Sequence, residues 1–221
     1  MSHVFIVGGS GQVARKVIQK LHQRNVAVTA MYRDTSQKAE LEELGARPVF
    51  ADLTKSSPDS LKDILKISQA DIVVFAAGAG GKGGQEATNL VDGNGLEITA
   101  LAAEKAGIRK LILVSAFPEA GRTKDLGDNF ENYMQVKKKS EYFLTKTQLD
   151  WIVLRPGTLV NDIGTGRIEA GVALPYGTIT REDVAQTIVS IIETPQLKRK
   201  IIEIIQGEYN ISEAVHSLTE K

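Results

Sequence analysis

The 221-residue sequence contains no cysteine, which excludes disulfides, thiolate metal sites and a cysteine nucleophile. Neither charge is in excess, since 27 Lys and Arg residues balance 27 Asp and Glu. The basic stripe that neutralises nucleic-acid phosphates is therefore missing. Histidine is scarce: His3, His22 and His216 are scattered and show no H-x-x-x-H spacing, which argues against a zinc site. No apolar run approaches the roughly 18 residues that read as a membrane span. The first residues read as a strand rather than as a charged-then-apolar leader. Linkers, low-complexity tracts and internal repeats are absent too. The expectation is one domain over 1–221, cytoplasmic, a monomer or homodimer, that takes a small-molecule substrate and neither nucleic acid nor a membrane. The one dense basic run, 137–139, reads mostly as a solvated helix face.

What is present is an alternation of apolar strands and amphipathic helices. Val4 to Val7 are β-branched or aromatic, as suits a buried strand. Val13, Val17, Ile18 and Leu21 then recur at helical intervals. Further strands are expected at 26–32, 46–53, 70–78, 109–117, 149–157 and 200–207. Helices are expected near 37–44, 60–67, 89–106, 130–145, 181–193 and at the end of the chain. Residues 157–180 read as a looser Gly/Thr-rich stretch. Continuous apolar strands in repeated βα units predict an α/β fold with a parallel sheet covered by helices on both faces.

Between the first strand and the first helix stands Gly8-Gly9-Ser10-Gly11, and Gly8, Gly11 and Ala14 give G-x-x-G-x-x-A. Strand, glycine turn and helix within twenty residues present helix-terminal N–H groups to an anion, and in this context the anion is a dinucleotide pyrophosphate. Gly8 turns the chain, Gly11 lets the backbone approach the phosphates and Ala14 keeps the helix close to the sheet. Ser10, Gln12 and Val13 would contribute N–H groups. The second strand runs into Tyr32-Arg33-Asp34, with Arg33 where an NAD site places the acid for its ribose diol. A guanidinium matches a 2′-phosphate, so NADP is favoured over NAD, and Asp34 is left to open the following turn. Asp52 and Leu53 close the third strand and Ala76, Ala77 and Gly78 the fourth. A short acid there can accept from an adenine amine, and small residues let a nucleotide lie on the sheet edge, although a cap and simple packing are equally available explanations. The glycines at 80, 81, 83 and 84 make a loop that either closes over a ligand or is merely loose.

Two Tyr-x-x-x-Lys pairs occur, Tyr133–Lys137 and Tyr142–Lys146. Nine residues turn a helix through about 900°, so the two tyrosines face opposite ways. Phe130, Tyr133, Met134, Lys137, Glu141 and Leu144 share one stripe, and Lys137 interrupts an otherwise core-facing surface. Lys146 suits a helix end. Tyr133 and Lys137 are therefore the candidate acid–base pair. A free phenol has a pKa near 10, and an ammonium one turn away together with an oxidised nicotinamide stabilises a phenolate. Tyr133 would give a proton to a carbonyl during hydride transfer, while Lys137 also holds the nicotinamide ribose. Ser115, ending the fifth strand, is placed to hydrogen-bond the same carbonyl or simply a backbone group.

The order of these parts resembles the short-chain dehydrogenase/reductase superfamily, in particular its atypical NAD(P)H-binding branch of NmrA-like and biliverdin/flavin-reductase-like proteins. The matching stretches are VGGSGQVA at 7–14, YRD at 32–34, ADL at 51–53, AAEKAGIRKLILVSAF at 102–117, YMQVKKKSEYFL at 133–144, LDWIVLRPG at 149–157 and TREDVAQTIVSII at 180–192. They span nearly the whole chain. The resemblance implies a Rossmann-like doubly wound domain binding NADP(H), with Ser115, Tyr133 and Lys137 on the catalytic positions and a small substrate-side region over 156–221. The sequence departs from the family pattern in carrying Asp92-Gly93-Asn94 where active relatives often have a structural Asn. It also departs in the 18-residue interval from Ser115 to Tyr133. Some members of this branch sense the cofactor's redox state without turnover, which is the alternative to reduction of a small carbonyl, quinone or flavin-like acceptor. A sugar-nucleotide or isomerising enzyme is a third reading, disfavoured because only about 65 residues follow Arg155.

Overall fold

The computed structural model describes residues 2–118, 120 and 124–219. In chain order the elements are β1 (His3–Val7), α1 (Gln12–Gln23), β2 (Ala27–Tyr32), α2 (Lys38–Glu43), β3 (Arg47–Phe50), α3 (Pro58–Ser68) and β4 (Ile72–Phe75). Then come α4 (Gly84–Thr88), α5 (Gly95–Ala106), β5 (Lys110–Val114), α6 (Asp128–Thr145), β6 (Asp150–Pro156) and β7 (Thr158–Val160). The chain continues with β8 (Arg167–Gly171), β9 (Thr178–Thr180), α7 (Arg181–Ile192), β10 (Lys200–Gln206), β11 (Tyr209–Asn210) and α8 (Ile211–Ser217).

Nine strands form one sheet in the order β11-β8-β10-β6-β5-β4-β1-β2-β3. The seven from β10 to β3 are parallel, and β8 and β11 add an antiparallel edge. This is the doubly wound Rossmann-like order, with the chain reversing direction between β1 and β4. Each β1 side chain from Val4 to Val7 is fully buried. Val4 and Ile6 pack with α1 and α7, while Phe5 and Val7 pack with α3 and α5 on the other face. A strand apolar on both sides can only sit centrally between two helical layers. Burial of one such side chain is worth about 1.5–3 kcal/mol.

Several boundaries differ from the sequence expectation for a local reason. The third strand stops at Phe50 because the Asp52 carboxylate accepts from the Thr54 N–H at 2.9 Å and starts a 3₁₀ turn. The fourth and fifth strands end at Phe75 and Val114, leaving Ala76–Gly78 and Ser115 in the loops beyond. The helix expected at 89–106 begins earlier, as α4, and passes through a π turn at Asn89–Asn94. The stretch 157–180 is not loose: it carries β7, β8 and β9, with β7 pairing β9 and β8 joining the main sheet. Among the described residues no helix is long and apolar enough to cross a membrane.

Lys110 in β5 is buried and donates to the carbonyls of Ile191 and Thr194 at 3.1 Å each, closing the end of α7. Burial pushes its pKa down from 10.5 to about 8, against the pull of Asp150. A folded pKa below the unfolded one means the charge costs stability wherever both states are protonated, below about pH 8. The cost is relieved as pH rises from there toward 10.5. Comparing urea unfolding of the wild type with Lys110→Met should therefore show the balance moving toward the wild type between pH 8 and 10, by on the order of 2 kcal/mol. A pH-independent difference contradicts this.

Candidate functional site

The site lies at the carboxyl ends of the parallel strands, above the crevice between β1 and β4. Gly8 leaves β1 with φ +83°, and a Cβ there would stand 2.6 Å from the Ala77 Cα, so only glycine lets these two loops touch. Gly9 donates its N–H to the Met31 carbonyl at 2.9 Å, tying the turn to β2. Gly11 caps α1 with no side-chain partner, and no acid stands in the first turn. The N–H groups of Ser10, Gln12 and Val13 have no acceptor among the described residues. Uncapped donors at the positive end of a twelve-residue helix form an anion site.

Two adjoining cavities open there. A smaller one of about 200 Å³ is lined by Gly8, Ser10 and Gly11, by Tyr32, Arg33 and Gln37 after β2, by Asp52 and Leu53, and by Ala76, Ala77 and Gly78. Its neighbour, of about 730 Å³, takes Gln12 and Val13, shares Gly11 and Ala76–Gly78 with the first, and adds Ser115, Tyr133 and Lys137. All the residues singled out from the sequence as nucleotide-binding or catalytic thus line one continuous crevice. Arg33 is exposed and has no hydrogen-bond or ion-pair partner among the described residues. Asp34 turns away: its Oδ1 accepts from the Ser36 N–H at 2.9 Å and hydroxyl at 2.7 Å, and those bonds hold its pKa below the usual range. Asp52 is bound similarly through Oδ1 to Thr54, leaving Oδ2 without a partner among the described residues.

On α6 the stripe behaves as the spacing predicts. Tyr133 is half-buried, packs a tilted ring 6.2 Å from Phe130, and its hydroxyl has no hydrogen-bond partner among the described residues. Lys137 is buried, with Nζ 5.8 Å from the Tyr133 ring centroid. Of the basic run, only Lys138 and Lys139 lie on the solvated face. Tyr142 is exposed with Lys146 against its ring, an ordinary surface pair.

Four residues at or behind the site, Asp92, Glu141, Arg155 and Glu203, carried no assigned role in the sequence reading. Asp92, in the π turn, is buried; its Oδ1 lies 3.6 Å from Lys137 Nζ and its Oδ2 accepts from the Ala79 N–H at 2.9 Å. The departure at 92–94 is thus an acid set beside Lys137. Lys137 also donates to the Val114 carbonyl at 3.1 Å, which leaves two of its three protons without a hydrogen-bond acceptor among the described residues. Glu141, one turn beyond Lys137, accepts from the Ser115 hydroxyl at 2.5 Å and from Arg155 through two bonds of 3.0 and 2.5 Å. Arg155 also reaches Glu203 at 3.5 Å, and Glu203 accepts from the Leu174 N–H at 2.8 Å. Ser115 therefore spends its proton on Glu141 and offers the crevice only lone pairs, unless the hydroxyl turns. An acid continuing a helical stripe of otherwise buried residues was the available signal for Glu141. Among the described residues no cluster of His, Asp and Glu could hold a metal.

Comparison with known proteins decides the family. Residues 8–195 match the NAD(P)H-binding family model. The chain belongs to this NAD(P)H-binding family. A Bacillus subtilis member named as an uncharacterised sugar epimerase is 33% identical over 97% of this chain and 99% of its own. Among solved structures, a provisional NAD-dependent epimerase/dehydratase from Bacillus halodurans is 32% identical with a TM-score of 0.86, covering 99% of this chain and 100% of that one. An oxidoreductase from Lactococcus lactis is 27% identical with a TM-score of 0.82, covering 99% and 97%. Structures named as an anaerobillin reductase and an NADH-flavin reductase, 20% and 18% identical with TM-scores of 0.75 and 0.72, share the fold.

Proposed function

We propose that the protein is an NADP(H)-dependent reductase of a small carbonyl, quinone or flavin-like acceptor. The observation that carries this reading is the continuity of an uncapped helix N-terminus, an unpartnered arginine and a Tyr133–Lys137 pair along one crevice. The residues fit the nucleotide: the glycine turn would be filled by any Cβ at Gly8, and the free N–H groups suit a diphosphate. Ser10, Gln12 and Val13 would hold the pyrophosphate. Arg33 would take the 2′-phosphate, and the commitment of Asp34 to Ser36 removes the acid that an NAD ribose diol would need. Asp52 Oδ2, Leu53 and Ala76–Gly78 would border the adenine.

When bound, the reduced nicotinamide supplies a hydride to the acceptor carbon. Tyr133 then supplies the balancing proton from its hydroxyl to the acceptor oxygen, which completes a two-electron reduction of C=O to CH–OH. Lys137, held between Val114 and Asp92, fixes a positive charge beside that phenol and would offer a remaining proton to the cofactor ribose. Ser115 orients the acceptor only if its hydroxyl leaves Glu141. Phe130, Leu126 and Leu159 would give the reacting end an apolar lining.

Retention of the cofactor for epimerisation is a second reading, supported by the names of the two Bacillus relatives. It predicts product without net NADPH consumption, so NADPH oxidation across carbonyl, quinone and flavin acceptors separates the two. For the nucleotide choice, Arg33→Ala should weaken NADPH by about ten- to a hundredfold and NADH by less than threefold, as loss of a charge-assisted phosphate contact requires. Equal weakening of both, read by calorimetry, overturns the assignment.

A further inference from the structure

Arg181 is the first residue of α7 and lines the larger cavity together with Tyr133. Its Nη1 donates to the Leu159 carbonyl at 3.1 Å and to Asn161 Oδ1 at 2.8 Å, so the guanidinium is held in place from one side. Nε and Nη2 have no partner among the described residues. Among the described residues no acid pairs with it either. Glu182 beside it is bridged to Lys16 at 2.8 Å and to Lys20 at 2.5 Å of α1. Asp183 accepts from the N–H groups of Thr165 and Gly166 and from the Thr180 hydroxyl. Among the described residues the one acid lining the cavity, Asp92, lies against Lys137 and the Ala79 N–H. Of the two cations lining the cavity among the described residues, Lys137 is balanced by Asp92 and Arg181 by none.

A guanidinium held from one side, with donors left over on a wall that also carries Val114, Leu126, Phe130 and Leu159, suits an oxyanion arriving on an apolar body. The nucleotide phosphates have their own donors at the start of α1 and at Arg33. We propose that Arg181 binds an oxyanion of the acceptor, so that the substrate is a flat, largely apolar molecule bearing a carboxylate or a phosphate. This rests on the reductase reading for the identity of the acceptor, but not for the anion site itself. Arg181 is a specificity-determining residue in this scheme and takes no part in the proton transfer.

Two matched pairs of probes test it, with NADPH for turnover and with the NADP⁺-loaded protein for binding. FMN against riboflavin reads a phosphate, and 4-formylbenzoate against its methyl ester reads a carboxylate. The wild type should prefer at least one anionic partner by about tenfold or more in kcat/KM or in Kd, the aldehydes being read by competition with flavin fluorescence. Arg181→Met should bring that ratio close to one while leaving the NADPH Kd within about twofold, which also reports that the variant is folded. Arg181→Lys should recover part of the preference. Absence of preference in the wild type, absence of binding by both anionic probes, or loss of NADPH affinity with the preference intact overturns the proposal. Anion preference in binding with no NADPH oxidation would instead sink the reductase reading and leave the site standing.

Discussion

Replacing Tyr133 by Phe should lower kcat for NADPH-dependent reduction by about 10²–10⁴-fold, the range for removal of a positioned general acid. The substitution deletes one hydroxyl that has no partner among the described residues, and it preserves the ring packed against Phe130. The fold and the NADPH Kd should therefore stay unchanged, which confines the loss to the proton transfer. Single-turnover NADPH oxidation reads this step without product release. Lys137→Met should cost more than rate alone. It leaves the buried Asp92 carboxylate facing an apolar chain and removes the donor to the Val114 carbonyl, so nucleotide affinity and stability should fall with turnover. A Tyr133→Phe protein that turns over at the wild-type rate would mean that another group, or water, supplies the proton.

The second large effect concerns stability. Glu141→Ala strips Arg155 of its two-bond partner in a buried site and leaves it only the longer contact to Glu203. Burial works against the Arg155 charge, and the hydrogen bonds and charge of Glu141 outweigh it. Removing one partner of a buried pair costs about 3–5 kcal/mol because the other is left unpaired. In a chain of this size that is a fall in Tm of about 6–20 °C. Glu141→Gln keeps the shape and part of the bonding and should cost less than the alanine. Freed from Glu141, the Ser115 hydroxyl could turn to the crevice, so any activity of the Gln variant at low temperature reports whether Ser115 assists the acceptor. A loss below about 1 kcal/mol for Glu141→Ala would show that the cluster holds nothing together.

The parts of the site legible in the sequence were those written in consecutive residues. The turn at Gly8–Gly11 follows an apolar strand and opens a periodic helix, and those local signals require no knowledge of the partner strand. Arg33 was legible for the same reason, since the end of β2 is fixed by the strand's own pattern. The α6 stripe separated Tyr133 from Tyr142 by helical phase alone. What stayed hidden depends on distant pairing. β8 is held by β10 and β11, some 30 residues later in the chain, and β7 and β9 are three-residue strands with little pattern of their own. The Ser115–Glu141–Arg155–Glu203 cluster joins a loop residue, a helix and two strand positions through tertiary contacts only. Asp92 was noticed as a departure from a pattern, but its place against Lys137 follows from a π turn that no composition signal marks. Arg181 sat in a stretch noticed for resemblance, and its lack of an acid shows only once Glu182 and Asp183 are seen to be engaged elsewhere.

Every functional role above depends on a diphosphate seated at the start of α1. Isothermal titration of the protein with NADPH and, separately, with NADH measures this most directly. The account predicts one site per chain and tighter binding of NADPH than of NADH, by tenfold or more if Arg33 meets the 2′-phosphate. Binding of neither nucleotide would contradict it.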